Sequence, residues 1–204
     1  MAAFEDTFTE AVDTLLTAHT PDVGTAWTLQ SGDNTNLMVR ALNDTLVSTS
    51  VTITLVTSDE LGDPDCYVEA ELATLSSQNG RYVVLRAQDA TNFIGWILAG
   101  TGGAGMRLVK VVGGSTTNLL TMQGVTGRVY RIEAEGSTLR FYEDGVQQGS
   151  DITETAFQTE TKQGIRANSS LSTLDFISTY NADVLGGGSG ISITGATANS
   201  SYSA

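Results

Sequence analysis

Apolar residues in this chain recur mainly at every second position, in short runs rich in Val, Thr and aromatics, separated by clusters of Gly, Asn and Asp. That period places alternate side chains on opposite faces of a strand. It predicts strands over 25–30, 36–40, 51–56, 66–75, 81–88, 93–99, 106–112, 116–122, 128–135, 138–143, 164–167 and 171–180. Within 51–56, Val51, Ile53 and Leu55 alternate with Thr52 and Thr54, so one face is expected buried and the other wet. Asn79-Gly80, Glu135-Gly136-Ser137 and Asp144-Gly145 lie between such runs. Asp-Gly suits a two-residue hairpin loop because both positions tolerate positive φ. The helical spacing of Val12, Leu15, Leu16 and His19 marks one short helix candidate, with a loop as its alternative. The expectation is an all-β sandwich or barrel.

The composition changes after Tyr180. "GGGSGISITGATANSSYSA" begins as a flexible linker and continues in small polar residues with an Ile191–Thr194 patch. The organisation read from this is a β-sandwich domain over 1–183 and a Gly/Ser-rich C-terminal arm over 184–204. Ile191, Ile193 and Tyr202 are the arm's candidate docking contacts.

Ten basic against twenty-three acidic side chains leave a net charge of −13. Nucleic-acid binding draws on clustered basic residues that release counterions, so this balance argues against a nucleic-acid partner. No segment approaches the ~18 apolar residues of a membrane span. The opening MAAFEDTFTE has neither a basic n-region nor an apolar h-region, so synthesis in a cytoplasm without a Sec-type signal is expected. The single cysteine, Cys66, excludes an intrachain disulfide framework and is expected to be buried and inert.

Four segments carry a family likeness: "CYVEAELATL", "RYVVLRAQDATNFIGWILA", "GRVYRIEAEGSTLRFYEDGVQQG" and "TKQGIRANSSLSTLDFIST". From about residue 64 to 180 the chain resembles the concanavalin A-like lectin/glucanase superfamily, especially its laminin-G-like branch. The opening "FEDTFTEAVDTLLTAHTPDVGTAWTLQSG" is similar to N-terminal strands of such domains in bacteriophage virion proteins. The resemblance implies an all-β, two-sheet antiparallel jelly-roll sandwich. It implies no single function, because lectins, hydrolases, adhesion modules and capsid parts share that fold.

Several residue groups are candidates for chemistry. Tyr67, Glu69 and Glu71 share one face of a strand, opposite Val68, Ala70 and Leu72. Retaining glycosidases hold two carboxylates about 5 Å apart, which a strand can supply. The superfamily's glucanases look like Glu-x-Asp-x-x-Glu there; this chain has Glu for the central Asp and lacks the last Glu. Solvated strand residues are therefore the expectation, and no catalytic residue is assigned. Asp59, Asp63 and Asp65 could offer hard oxygen ligands to calcium, with an ordinary turn around Gly62 and Pro64 as the alternative. "GTGGAG" at 100–105 has the letters of a dinucleotide fingerprint, but a strand follows instead of the required helix. His19, the one histidine, reads as structural. Trp27, Trp96, Tyr82, Phe93, Tyr130, Phe141 and Tyr142 are expected mostly in the core, with Trp96 and Tyr142 as candidate carbohydrate contacts.

The function read from these features is a non-enzymatic structural or decoration protein of a bacteriophage-like virion. It would dock on other virion subunits, including further copies of itself, through the arm or an edge strand. A carbohydrate-binding module for cell-surface glycans is the alternative, and a glucanase-type hydrolase comes third. No cofactor is expected beyond the candidate calcium.

Overall fold

The computed structural model describes residues 4–58, 61–74, 80–97, 105–168 and 176–186. The arm residues Ile191, Ile193 and Tyr202, and Asp59 of the candidate calcium loop, lie outside the described residues, as does most of "GTGGAG". The described strands, in chain order, are β1 Phe4–Asp6, β2 Thr14–Leu15, β3 Thr28–Ser31, β4 Leu37–Arg40, β5 Thr45–Ser48, β6 Thr54–Thr57, β7 Cys66–Leu72 and β8 Arg81–Asp89. They continue with β9 Asn92–Ile97, β10 Met106–Val112, β11 Ser115–Met122, β12 Val129–Glu135, β13 Thr138–Glu143, β14 Val146–Gln147, β15 Ile152–Thr153, β16 Gly164–Ala167 and β17 Ile177–Val184.

These strands form two antiparallel sheets packed as a sandwich. The ten-stranded sheet runs β14-β13-β12-β7-β17-β5-β4-β2, with β1 added to β17 and β15 to β13. The seven-stranded sheet runs β11-β10-β9-β8-β16-β6-β3. Val68, Ala70, Tyr130, Ile132 and Tyr180 from the first sheet meet Val83, Leu85, Ile94, Trp96 and Ile165 from the second in the main core. The second sheet buries its middle strands on both faces, with Tyr82, Val84, Phe93, Ile97, Val109 and Val111 in a separate buried cluster, while its edge strand β11 is largely exposed. The first sheet alternates, apolar inward and polar outward, as a half-wet antiparallel sheet should. That polar outer face is the one with chemistry to offer.

Three expectations are corrected. The helix candidate over 12–19 is instead β2 followed by a single 3₁₀ turn, Leu16–Ala18, and Val12 points to solvent. Four spaced residues are too few to nucleate a helix against competing strand pairing with β4. Second, the alternation over 51–56 does not bury Val51 and Ile53, which are 69 % and 42 % exposed. The strand begins only at Thr54, and all four residues of β6 are buried. Thr54 is tolerated inside because its hydroxyl accepts from the Asp33 N–H and Asn36 Nδ2, while Asn36 Oδ1 accepts from Ser48 Oγ and the Ser50 N–H. Third, β1, β2, β5, β14 and β15 were missed; the longest of them, β5, has four residues, all buried. Such short elements carry no readable period. Among the described residues no helix is long and apolar enough to cross a membrane.

Candidate functional site on the ten-stranded sheet

Antiparallel register aligns outward side chains from neighbouring strands into rows across a sheet. On the outer face, Glu5 of β1 pairs with Asn181 of β17, Asn181 with Glu69 of β7, and Glu69 with Arg131 of β12. Arg131 pairs in turn with Tyr142 of β13, and Tyr142 with Gln147 of β14. Six strands thus place six polar side chains in a single line. One step along, Asp183, Tyr67, Glu133 and Arg140 form a parallel line.

Side-chain bonds join the two lines. Arg131 Nε donates to Glu69 Oε2 at 2.9 Å and Nη1 to Glu133 Oε1 at 3.2 Å. Its guanidinium carbon lies 4.1 Å from the centroid of the Tyr67 ring. Tyr142 donates its hydroxyl to Glu133 Oε2 at 2.9 Å, and Asn181 Nδ2 reaches Glu69 Oε1 at 3.5 Å. Arg140 bridges to Glu135 and Asp151.

The electrostatics keep the donors in donor form. Burial pushes the Tyr67 phenol up; Arg131 pulls it back, and Asp183, Glu69 and Glu5 add to the rise. Burial, followed by the hydrogen bond to Glu133, does the same for Tyr142. Burial works against the Arg131 charge, but Glu69 and Glu133 outweigh it and hold the guanidinium firmly protonated. The result is two lines that together hold carboxylates, the phenol O–H groups of Tyr67 and Tyr142, two amides and the guanidinium groups of Arg131 and Arg140. This mixture suits hydroxyl groups, which donate and accept at once.

The residues singled out from sequence divide sharply. Tyr142 sits in the line. Trp96 does not: it is 0 % exposed, between the sheets, with Tyr130 and Phe141 rings 5.5 and 6.1 Å away. Its inward register on β9 leaves no free face for a sugar, so the Trp96 contact is withdrawn. Trp27, Tyr82, Phe93, Tyr130 and Phe141 are likewise buried. Glu69 and Glu71 do share the outer face, but Glu69 is engaged by Arg131 and Asn181, and the Glu71 backbone N–H donates to Thr179 Oγ1. Cys66 is buried; desolvation pushes its thiol up to about 12.

Asp65, a candidate calcium ligand, has other work in the described structure. Its Oδ1 accepts from Arg86 Nη2 at 3.0 Å and from the Gly136 N–H at 2.7 Å, while Asp63 Oδ1 accepts from the Asp65 N–H. Among the described residues no group of three or more His, Cys, Asp or Glu side chains is placed to hold a metal.

Sequence reasoning missed Glu5, Arg131, Glu133, Asn181 and Gln147. The outward parity of Arg131 and Glu133 is legible in "VYRIEAE", but which strands flank it is not. Register alone made the line.

No family model matches the chain, and no curated protein matches its sequence. Solved structures do. Carbohydrate-binding module CBM66 from Bacillus subtilis superposes with a TM-score of 0.51 at 16% identity, over 78% of this chain and 92% of that one. The fold is the concanavalin A-like jelly roll. Rv0315 of Mycobacterium tuberculosis, described as an immunostimulatory antigen and pseudo β-1,3-glucanase, gives a TM-score of 0.53 at 12% identity, over 89% and 98% of the two chains. A glycosyl hydrolase family 16 protein from Mycobacterium smegmatis gives 0.51 at 13%, over 88% and 98%. On this concanavalin A-like jelly roll the line of six runs across the ten-stranded sheet from β1 to β14, and the parallel line of four from β17 to β13.

Proposed function

We propose that this jelly roll is a non-catalytic glycan-binding domain whose ligand lies along the line Glu5, Asn181, Glu69, Arg131, Tyr142 and Gln147. The observation that carries it is the alignment of those six outward polar side chains by register. Strands stand roughly 4.8 Å apart, close to the length of one sugar ring, so successive hydroxyls of an extended glycan meet successive side chains. Structural neighbours described as a carbohydrate-binding module and as a pseudo-glucanase support a glycan ligand without turnover. The glucanase strand pattern lacks its last carboxylate here, and Glu69 is bound by a guanidinium, which suits holding a ligand better than proton transfer. This reading takes precedence over a virion component, which drew on the arm and on a likeness of the opening residues.

A glycan array followed by calorimetry tests it. Saturable binding is expected, and the pair Arg131→Ala and Tyr142→Phe is expected to weaken it tenfold or more, the size of one or two lost hydrogen bonds at about 1 kcal/mol each. No hydrolysis of β-glucan is expected from the unaltered protein. Binding unaffected by both substitutions would remove the line from consideration; turnover lost in Glu69→Gln/Glu71→Gln would replace binding by catalysis.

A further inference from the structure

The line ends at Glu5, on a three-residue strand that cannot hold itself in place. β1 is fixed by a buried polar cluster immediately beside it. Asp6, 1 % exposed, accepts at Oδ1 from His19 Nε2 (2.8 Å) and the Phe8 N–H (2.7 Å), and at Oδ2 from Trp27 Nε1 (2.5 Å). His19, 4 % exposed, reaches Glu10 Oε1 through Nδ1 at 2.7 Å. The chain between the two carboxylates is folded back with Phe8 at φ 53°, a left-handed conformation that a bulky residue adopts only when held. Trp27 in turn packs edge-on against Phe4 and Tyr180, each at 4.9 Å between centroids, tying the cluster to β1 and β17.

Both ring nitrogens of His19 therefore face carboxylate oxygens. An imidazolium donates to both. A neutral imidazole has one N–H and must turn a lone pair toward the other carboxylate. The groups facing the ring are Asp6 from β1 and Glu10 from the loop after it, with the Phe8 ring 6.2 Å away. Asp22, across the same loop, is occupied by the N–H and hydroxyl of Thr7.

We propose that Asp6, His19 and Glu10 form a pH-operated clamp that holds β1 in place between β17 and Val23, and that its release in alkali withdraws Glu5 from the glycan-binding line. The second half rests on the proposed function; the clamp itself does not. Burial lowers the His19 pKa, but the bonds to Asp6 and Glu10 more than offset it, so the folded pKa lies above the ordinary histidine value. A group raised on folding contributes stability that is fully present below its unfolded pKa, about 6.5, and lost as pH rises through the folded one. The clamp is thus closed below about pH 6.5 and opens as pH rises through the raised folded value.

Hydrogen exchange of the Glu5 and Val23 amides, which bond each other's carbonyls, reads the clamp without any ligand. Protection factors, which divide out intrinsic exchange, are expected to fall about tenfold or more between about pH 6 and about pH 9, the size of one lost charge-assisted hydrogen bond. In His19→Gln that dependence is expected to vanish. Glu10→Gln, at the more exposed end, keeps the fold and lets the amide bond either form of the ring, so it should flatten the profile. Equal protection at both pH values, or wild-type dependence retained in both variants, overturns the clamp. Glycan affinity falling in step with protection supports the coupling; affinity flat with pH while the clamp opens overturns the coupling alone. Absence of any glycan binding overturns the proposed function and leaves the exchange result standing.

Discussion

Arg86 shows how one side chain can join two sheets. It lies on β8 of the seven-stranded sheet at φ 50°, where the pairing with β9 shifts register between Leu85 and Asp89. The bulge turns its side chain through the interior, where Nε donates to the Pro64 carbonyl, Nη1 to the Gly136 carbonyl and Nη2 to Asp65. Pro64 and Asp65 precede β7, and Gly136 closes the β12–β13 hairpin, both in the other sheet. Burial pulls the guanidinium pKa down and Asp65 opposes it. Because Asp65 is partly exposed, the carbonyls carry most of the energetic weight. Arg86→Met should destabilise the fold by roughly 2–4 kcal/mol, the cost of leaving buried acceptors unpaired, as measured by urea unfolding. Arg86→Lys should recover only a fraction of this, since a single ammonium cannot reproduce the fork. The acidic stretch before β7 thus serves, over its described residues, as an anchor for a buried cation.

At the scale of elements, hairpins and close strand approaches behave differently. Asp144 and Gly145, at φ 46° and 77°, form the tight turn their sequence predicts between β13 and β14. Asp144 adds bonds to Arg128 and to the Val129 N–H, which fasten that turn back onto β12. Gly164, on β16, has a role no turn rule announces. A Cβ there would stand 2.2 Å from the Val56 carbonyl oxygen and 2.6 Å from the Thr57 Cα, both backbone atoms of β6. Gly164→Ala must push β16 and β6 away from each other and is expected to cost about 3 kcal/mol or more. An equilibrium urea transition shifted to a lower midpoint at unchanged slope would show it; an unshifted midpoint would mean that β6 moves aside freely.

For the whole molecule, most of β8 and β9 and all of β16 in the seven-stranded sheet are buried on both faces. By contrast, β7 and β12 of the ten-stranded sheet turn partly exposed polar side chains outward, which leaves that outer face open to recognition. Cys66 reports on the integrity of that arrangement, since it starts β7 between the sheets. With its pKa pushed to about 12 by burial, the native thiol at about pH 8 is thiolate in roughly one molecule in ten thousand, far below an exposed cysteine. A thiol reagent should therefore label it only through unfolding, at a rate that rises with urea in step with loss of structure. Prompt labelling of the folded protein would show that the sandwich opens locally at β7.

The sequence alone determined the β class, most of the longer strands and their outward parity, because a period of two survives in any run long enough to show it. "CYVEAEL" and "VYRIEAE" each disclosed which residues face water. It also placed the Asp144-Gly145 turn, a local matter of positive φ. Tertiary structure decided what no local pattern contains. Pairing brought Glu5, Asn181, Glu69, Arg131 and Tyr142, separated by as many as 176 positions, into one line. Stacking of the sheets turned Trp96 from a candidate contact into core, and a bulge sent Arg86 to Asp65. Parity is set by the backbone of a single strand, whereas register and sheet order are set by which distant strands bury each other's faces.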